Sequence, residues 1–163
     1  MSPSRPDLVE CWVYRAGARG LEILLIHRAP GRILPGLWQC VTGSVEPSER
    51  VAAAALREVL EETGYGPDAV EAFYDLDIVN QFHEPSVDAI LSAAVFAVRV
   101  RPTAEPALSH EHDDMRWVDA AGARALVVWP AYDVAIGRIE SHLLDPERAP
   151  WFELSLDGRR IVG

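Results

Sequence analysis

A chain of 163 residues is long enough for one ordinary domain and leaves no room for a second catalytic one. With 49% hydrophobic residues, 25% charged residues and a mean hydropathy of +0.02, it is excluded from the mainly disordered and fibrous classes. Its 15 cations, every one an arginine, face 25 carboxylates, and the net charge of -10 excludes passive attraction to nucleic acid or to an anionic membrane. A phosphate ligand must therefore be drawn in locally, by a bound cation or a few placed arginines.

No apolar run approaches the roughly 18 to 20 residues of a spanning helix, and Met1 to Glu10 has no apolar signal core, so the expectation is a cytoplasmic protein without membrane contact. The runs LVECWVY (Leu8 to Tyr14) and LEILLIH (Leu21 to His27) flank a turn-like AGARG and predict a β-hairpin. Cys11 and Cys40 have neither disulfide nor metal spacing and read as buried thiols. A loop rich in Pro and Gly, Ala29 to Gly36, precedes a short strand, LWQCVTG, that ends at Gly43. The stretch from Ser48 to Thr63 lacks Gly and Pro, is rich in Ala, Leu and Glu, and stops at Gly64, as a helix C-terminus does. FYDLDIV (Phe73 to Val79) and ILSAAVFAVRV (Ile90 to Val100) read as strands separated mainly by the polar loop NQFHEPSVD. An acidic SHEHDD stretch, the strand-like MRWVDA and a second helix, Ala131 to Leu144, come next. The tail from Trp151 to Val162 alternates around Asp157-Gly158 and predicts a small hairpin, whose edge is available for pairing in a homodimer. Strands mixed with two helices in this order predict an α/β fold, layered, with a mixed β-sheet.

On a helical wheel Glu61 and Glu62 lie within about 60 degrees of Glu58, so three carboxylates share one stripe. The same wheel assigns Ala52, Ala53, Leu56, Val59 and Leu60 to the core and sets Val51, Ala54 and Ala55 beside the acids. Glu58 and Glu62 repel one another at i,i+4 unless something positive lies between them, and Mg²⁺, a hard cation held by carboxylates, waters and phosphates, suits that place. Arg57 stands where it can fix the rotamer of Glu61. Taken alone, such a helix is equally a solvated amphipathic one.

The segment GSVEPSERVAAAALREVLEETGY, Gly43 to Tyr65, changes that balance. It resembles the Nudix box of the Nudix hydrolase superfamily: its seven fixed letters would match by chance on the order of 10⁻⁸ per start position on average residue usage. The departure is Tyr65, where an aliphatic residue is usual. The resemblance implies a single Nudix hydrolase domain over 1-163 with an α/β/α sandwich, the tail hairpin at 151-162 being additional. It also implies cleavage of a nucleoside diphosphate linked to another moiety, with Mg²⁺ or Mn²⁺ as cofactor. Carried onto this chain, it makes Glu58 and Glu62 the main metal ligands and Glu61 a further one, with Arg57 and Glu49 the supporting ion pair. Gly43 is the sharp turn, the carbonyl of Thr42 joins the metal shell, and Gly64 ends the helix. A late acid is often recruited too, and Glu111 stands at a familiar spacing before Trp117. The general base falls on Glu58 or Glu62.

Around the box, LWQCVTGSVEPSE and EHDDMRW are similar to the bacterial dihydroneopterin triphosphate pyrophosphohydrolases, a likeness spanning about residues 8 to 140 and not the tail beyond Asp145. Trp38 can stack on a pterin or purine, or fill the core of its short strand. Arg28 is placed to reach a phosphate as a bidentate donor. Gln81, Phe82 and His83 are placed in a loop where a base or leaving group is held. The proline about fifteen residues beyond the box of ADP-ribose hydrolases is absent from IVNQF, and Phe82 stands near the tyrosine of dinucleoside polyphosphate hydrolases. The expectation is a pyrophosphohydrolase acting on a nucleoside or pterin triphosphate and releasing pyrophosphate and a monophosphate. The alternatives are dinucleoside polyphosphate or capped-RNA cleavage, and a non-catalytic nucleotide-binding module. The partner is a small-molecule nucleotide or pterin phosphate, with no nucleic acid and no membrane.

Overall fold

The computed structural model describes residues 2–163. Strands β1 (Leu8–Gly17) and β2 (Gly20–Arg28) close as an antiparallel hairpin with Gly17 opposite Gly20. Gly20 has φ +102°, a left-handed conformation for which the tight turn needs glycine. The chain continues through β3 (Trp38–Gln39), β4 (Val41–Ser44), α1 (Val51–Thr63), β5 (Val70–Glu84), β6 (Ala89–Val100) and β7 (His112–Val118). Helices α2 (Ala120–Leu126) and α3 (Pro130–Arg138) and the short β8 (Glu153–Leu154) complete it. One mixed sheet runs β3-β2-β1-β6-β5-β8, with β4 added to β1 and β7 to β2. β1 and β6 are parallel, and the other pairs are antiparallel.

Alternation along β1 builds both cores of an α/β/α sandwich. Val9, Cys11 and Val13 pack toward α1 with Ala54, Ala55 and Val59, whereas Trp12 and Tyr14 pack toward α2 and α3 with Ala123, Tyr132 and Ile136. Trp12 meets the edge of Tyr132 at 5.0 Å between centroids. Val59 has no exposed surface, and burial of a side chain of that size contributes about 1.5 kcal/mol or more. Both cysteines are free and buried, and burial pushes their thiols up, away from reactivity.

Several local expectations change. The helix begins at Val51 rather than Ser48, because Ser48 takes φ +68° and Glu49 folds into a turn in which its carboxylate accepts the Glu46 N–H. The core stripe of α1 is rotated: Ala54 and Ala55 are buried, while Ala53 is exposed and Leu60 is 49% exposed. The stretch NQFHEPSVD is no loop; Asn80 to Glu84 continue β5 and pair with β6 up to the turn at Ser86. LWQCVTG divides into β3 and β4, which pair with different strands, β2 and β1. In the tail, β8 pairs with Phe73 and Tyr74 of β5, and Leu154 bridges to Arg160 around Gly158 at φ +80°. The second helix starts at Pro130 and ends in a π turn, Ile139–Leu143.

Candidate active site

Helix α1 is anchored by small residues, so its backbone sits close to the sheet and its last two turns carry acids into the ends of β4 and β7. Glu62 is 3% exposed, and its Oε2 has no hydrogen-bond partner. Burial pushes its carboxyl up to about 8 from the ordinary 4.5. The like charges of Glu58 and Glu111 add to this, while the Thr42 backbone N–H and Arg28 oppose it. Glu58 is raised by burial as well, against the lowering effect of Arg57, with Glu61 and Glu111 adding repulsion. Glu61 is turned outward, its side chain 55% exposed.

The approach between β4 and α1 depends on Gly43. A Cβ there would overlap Cδ of Glu58, so only glycine leaves room for that carboxylate. Arg57 fixes the same carboxylate from the other side. Its Nε and Nη2 reach the two oxygens of Glu49 at 2.8 and 3.1 Å, Nη2 also donates to the Ser44 carbonyl at 2.9 Å, and Nη1 donates to Glu58 Oε1 at 2.8 Å and Glu61 Oε2 at 3.3 Å. One planar fork thereby spans the turn before α1 and two of its acids, a task a lysine ammonium cannot perform. The ion pair holds Glu49 below its usual carboxylate range and Arg57 well above its own.

The rim draws on the loop between β2 and β3 and on the start of β7. Glu111 precedes β7, and its charge is felt by both Glu58 and Glu62, while Arg32 stands 3.9 Å from its carboxylate. Arg28 donates Nε to the Ile33 carbonyl at 2.8 Å, which folds the loop rich in Pro and Gly back on itself and leaves the guanidinium within electrostatic reach of Glu62. Trp38 is half-buried between His27, 4.7 Å away, and the guanidinium of Arg116 at 4.8 Å, so its ring already has partners on β2 and β7.

Two expected substrate contacts are placed elsewhere. His83 lies near the tip of the β5–β6 hairpin and pairs with Asp88 at 3.0 Å; Gln81 lies in β5, is exposed, and has no side-chain hydrogen bond. Neither makes a side-chain hydrogen bond or ion pair with Glu58, Glu61, Glu62 or Glu111. Conversely, a buried polar pair, Gln39 and His112, is absent from the sequence-based site, and its Nε2 atoms lie 3.2 Å apart. Burial holds the imidazole down at about 4, with Arg28 adding to this, so it is neutral at pH 7, and its Nδ1 is without a partner. A signal for the pair exists: His112 adjoins Glu111, and Gln39 lies just ahead of the strand that enters the box.

Among the described residues no three His, Cys, Asp or Glu side chains already converge on one point. Yet a buried, unpartnered carboxylate oxygen within electrostatic reach of two further carboxylates offers the hard oxygen donors that a divalent cation takes, and the arginine nearest Glu58 is committed to Glu49 as well.

Comparison with known proteins agrees with this arrangement. The NUDIX domain family matches residues 5–135. A curated octanoyltransferase from Myxococcus xanthus is 40% identical over 109 residues, 64% of this chain but 29% of that protein, so the chain spans under a third of that relative's length. The Escherichia coli dihydroneopterin triphosphate pyrophosphohydrolase superposes with TM-score 0.68 at 25% identity, covering 85% of this chain and 97% of that one. A Caenorhabditis elegans Ap4A hydrolase superposes with TM-score 0.71 at 20% identity over 84% and 96%. With its box acids, its Arg57–Glu49 pair and its sandwich all in place, the chain belongs to the NUDIX family of hydrolases.

Proposed function

We propose that this chain hydrolyses the phosphoanhydride bond of a nucleoside or pterin triphosphate, with Mg²⁺ or Mn²⁺, to give pyrophosphate and a monophosphate. The observation that carries this reading is the buried, unpartnered oxygen of Glu62, on whose carboxyl the charges of Glu58 and Glu111 act. Glu58, Glu62 and Glu111 would hold the cation, together with the Thr42 carbonyl. When bound, the cation neutralises phosphate charge and lowers the pKa of water. Water adds to phosphorus as the P–O bond to the leaving pyrophosphate breaks, and a carboxylate of the pair Glu58 and Glu62 takes the proton. Arg57 is a positioning residue that acts through Glu58. Arg28, with only its Nε committed, offers its terminal N–H groups to a phosphate.

The net charge of -10 supports a small-molecule substrate over a nucleic acid. A pyrophosphate-release assay over ATP, GTP, dihydroneopterin triphosphate and diadenosine tetraphosphate, with and without Mg²⁺, tests the reading and separates it from dinucleoside polyphosphate cleavage. Glu62→Gln keeps the shape and removes the charge, and the expected fall in kcat is about 10²-fold or more, the scale of losing a group that stabilises the transition state. Undiminished Mg²⁺-dependent turnover in that variant overturns the assignment.

A further inference from the structure

A second buried carboxylate, Glu10, lies one strand away from the acids and takes no part in the chemistry above. Its Cα is paired with that of Thr42, and Cys40 and Tyr132 feel the charges of both Glu10 and Glu62. Glu10 is 8% exposed, on the face of β1 that also presents Trp12 to α3. No arginine contributes to its electrostatic environment. Its one side-chain hydrogen bond comes from Asn80, whose Nδ2 donates to Oε2 at 3.0 Å; Oε1 receives no donor from the protein and is not sealed from solvent. Burial pushes this carboxyl up to about 7, so without a ligand it meets the cost of desolvation by holding a proton, whereas a ligand that brings N–H donors into its plane favours the ionised form. Two apolar side chains lie alongside: Leu8 and Phe82, two residues along β1 and β5 from Glu10 and Asn80, share their face of the sheet, and Phe82 is 38% exposed.

We infer that Glu10 and Asn80 form a recognition edge for a 2-amino-4-oxopyrimidine ring, the edge common to guanine and the pterins. This rests on the reading of the chain as a triphosphate hydrolase and names which triphosphates it takes. Two neighbouring N–H donors in one plane, the ring N–H and the 2-amino group, match the fork of a carboxylate, and the remaining amide N–H of Asn80 matches the ring carbonyl. Adenine and cytosine set a ring-nitrogen lone pair beside their amino group, and uracil sets a carbonyl on each side of its N–H. Each of these would direct a lone pair at the carboxylate, and a site built on buried polar groups rejects ligands that leave it mispaired.

Titration calorimetry of the full chain in Mg²⁺ buffer at about pH 8.5, where Glu10 is ionised, with GMP, IMP and AMP tests this without requiring turnover, because IMP differs from GMP by the 2-amino group alone. Wild type is expected to bind GMP at least about tenfold more tightly than IMP or AMP, the lower range for a site that reads a polar group. Glu10→Gln, which replaces one acceptor with a donor, is expected to bring the three within about threefold, with a ligand-free thermal midpoint at or above that of wild type because a carboxyl raised by burial is removed. Equal binding of GMP and IMP by wild type, a GMP preference that survives in the variant, or no GMP binding at millimolar concentration each overturns the inference. Relative kcat/KM on GTP and dihydroneopterin triphosphate then separates the two sources of the ring. Absence of pyrophosphate release from every triphosphate sinks the hydrolase reading but leaves the GMP to IMP ratio intact as a measurement.

Discussion

Glu62, the proposed metal ligand, works against the stability of its own fold. Its carboxyl is pushed from 4.5 to about 8, first by burial and then by Glu58 and Glu111, so the folded chain keeps a proton that the unfolded chain has released. Stability from this group is therefore intact below about pH 4.5 and is lost progressively as pH rises toward 8. Glu62→Gln escapes that loss. In metal-free protein, its Tm is expected to exceed that of wild type at pH 8 and to equal it near pH 4.5, as measured by thermal melts in chelator. Added Mg²⁺ is expected to raise the Tm of wild type and not that of the variant, since only a ligand that binds the folded state stabilises it. The box acids are legible as a linear pattern because the family spacing names them directly. Glu10 is not: it stands alone in a strand-like run, and its partner Asn80 is seventy residues away in sequence.

At the level of elements, the sequence discloses types better than faces. The hairpin of β1 and β2, the α1 helix and its glycine stop are all readable from residue period and punctuation. The burial phase of α1 is not, because a wheel places every acid on the side away from the core, whereas Glu62 turns inward and Leu60 is left 49% exposed. The outer half of β5 resembles a loop in sequence because its side chains alternate between two solvated surfaces and leave no apolar period. Its extension as a strand places Gln81 opposite Ser92 and His83 opposite Ile90 of β6. The crossing of β4 and α1 is where element geometry becomes chemistry. Gly43→Ala introduces a methyl that overlaps Glu58 Cδ, at a residue whose φ is not in the left-handed region. The carboxylate must move while the backbone can stay. A loss of kcat of about 10²-fold is expected, the scale of a 1 Å misplacement of a catalytic group. Steady-state kinetics alongside circular dichroism checks it; a variant with full activity would show that Glu58 has room to spare.

Among the described residues no helix is long and apolar enough to cross a membrane, and the family match ends at residue 135. The segment beyond that match is nonetheless built into the sheet. The Asp75 N–H donates to the Phe152 carbonyl at 2.9 Å, Leu154 is 7% exposed, and the tail lies along the first half of β5, at Phe73 to Asp75. Removing residues 146–163 uncovers those strand groups as well as apolar surface, and a Tm lowered by roughly 5 to 10 °C is expected in calorimetry, from a few kcal/mol of lost burial. An unchanged midpoint would mean the tail is only laid on the surface.

Gly158 rests so near Ala52 that a methyl on it would come within 2.7 Å of the Ala52 Cβ. The end of the chain thus clasps the opening turn of the helix whose later turns bear the acids, and the stiffness of that turn is borrowed from a segment with no part in the reaction. Loosening the clasp would first appear as faster amide exchange around Val51 to Ala55, ahead of any change in the chemistry.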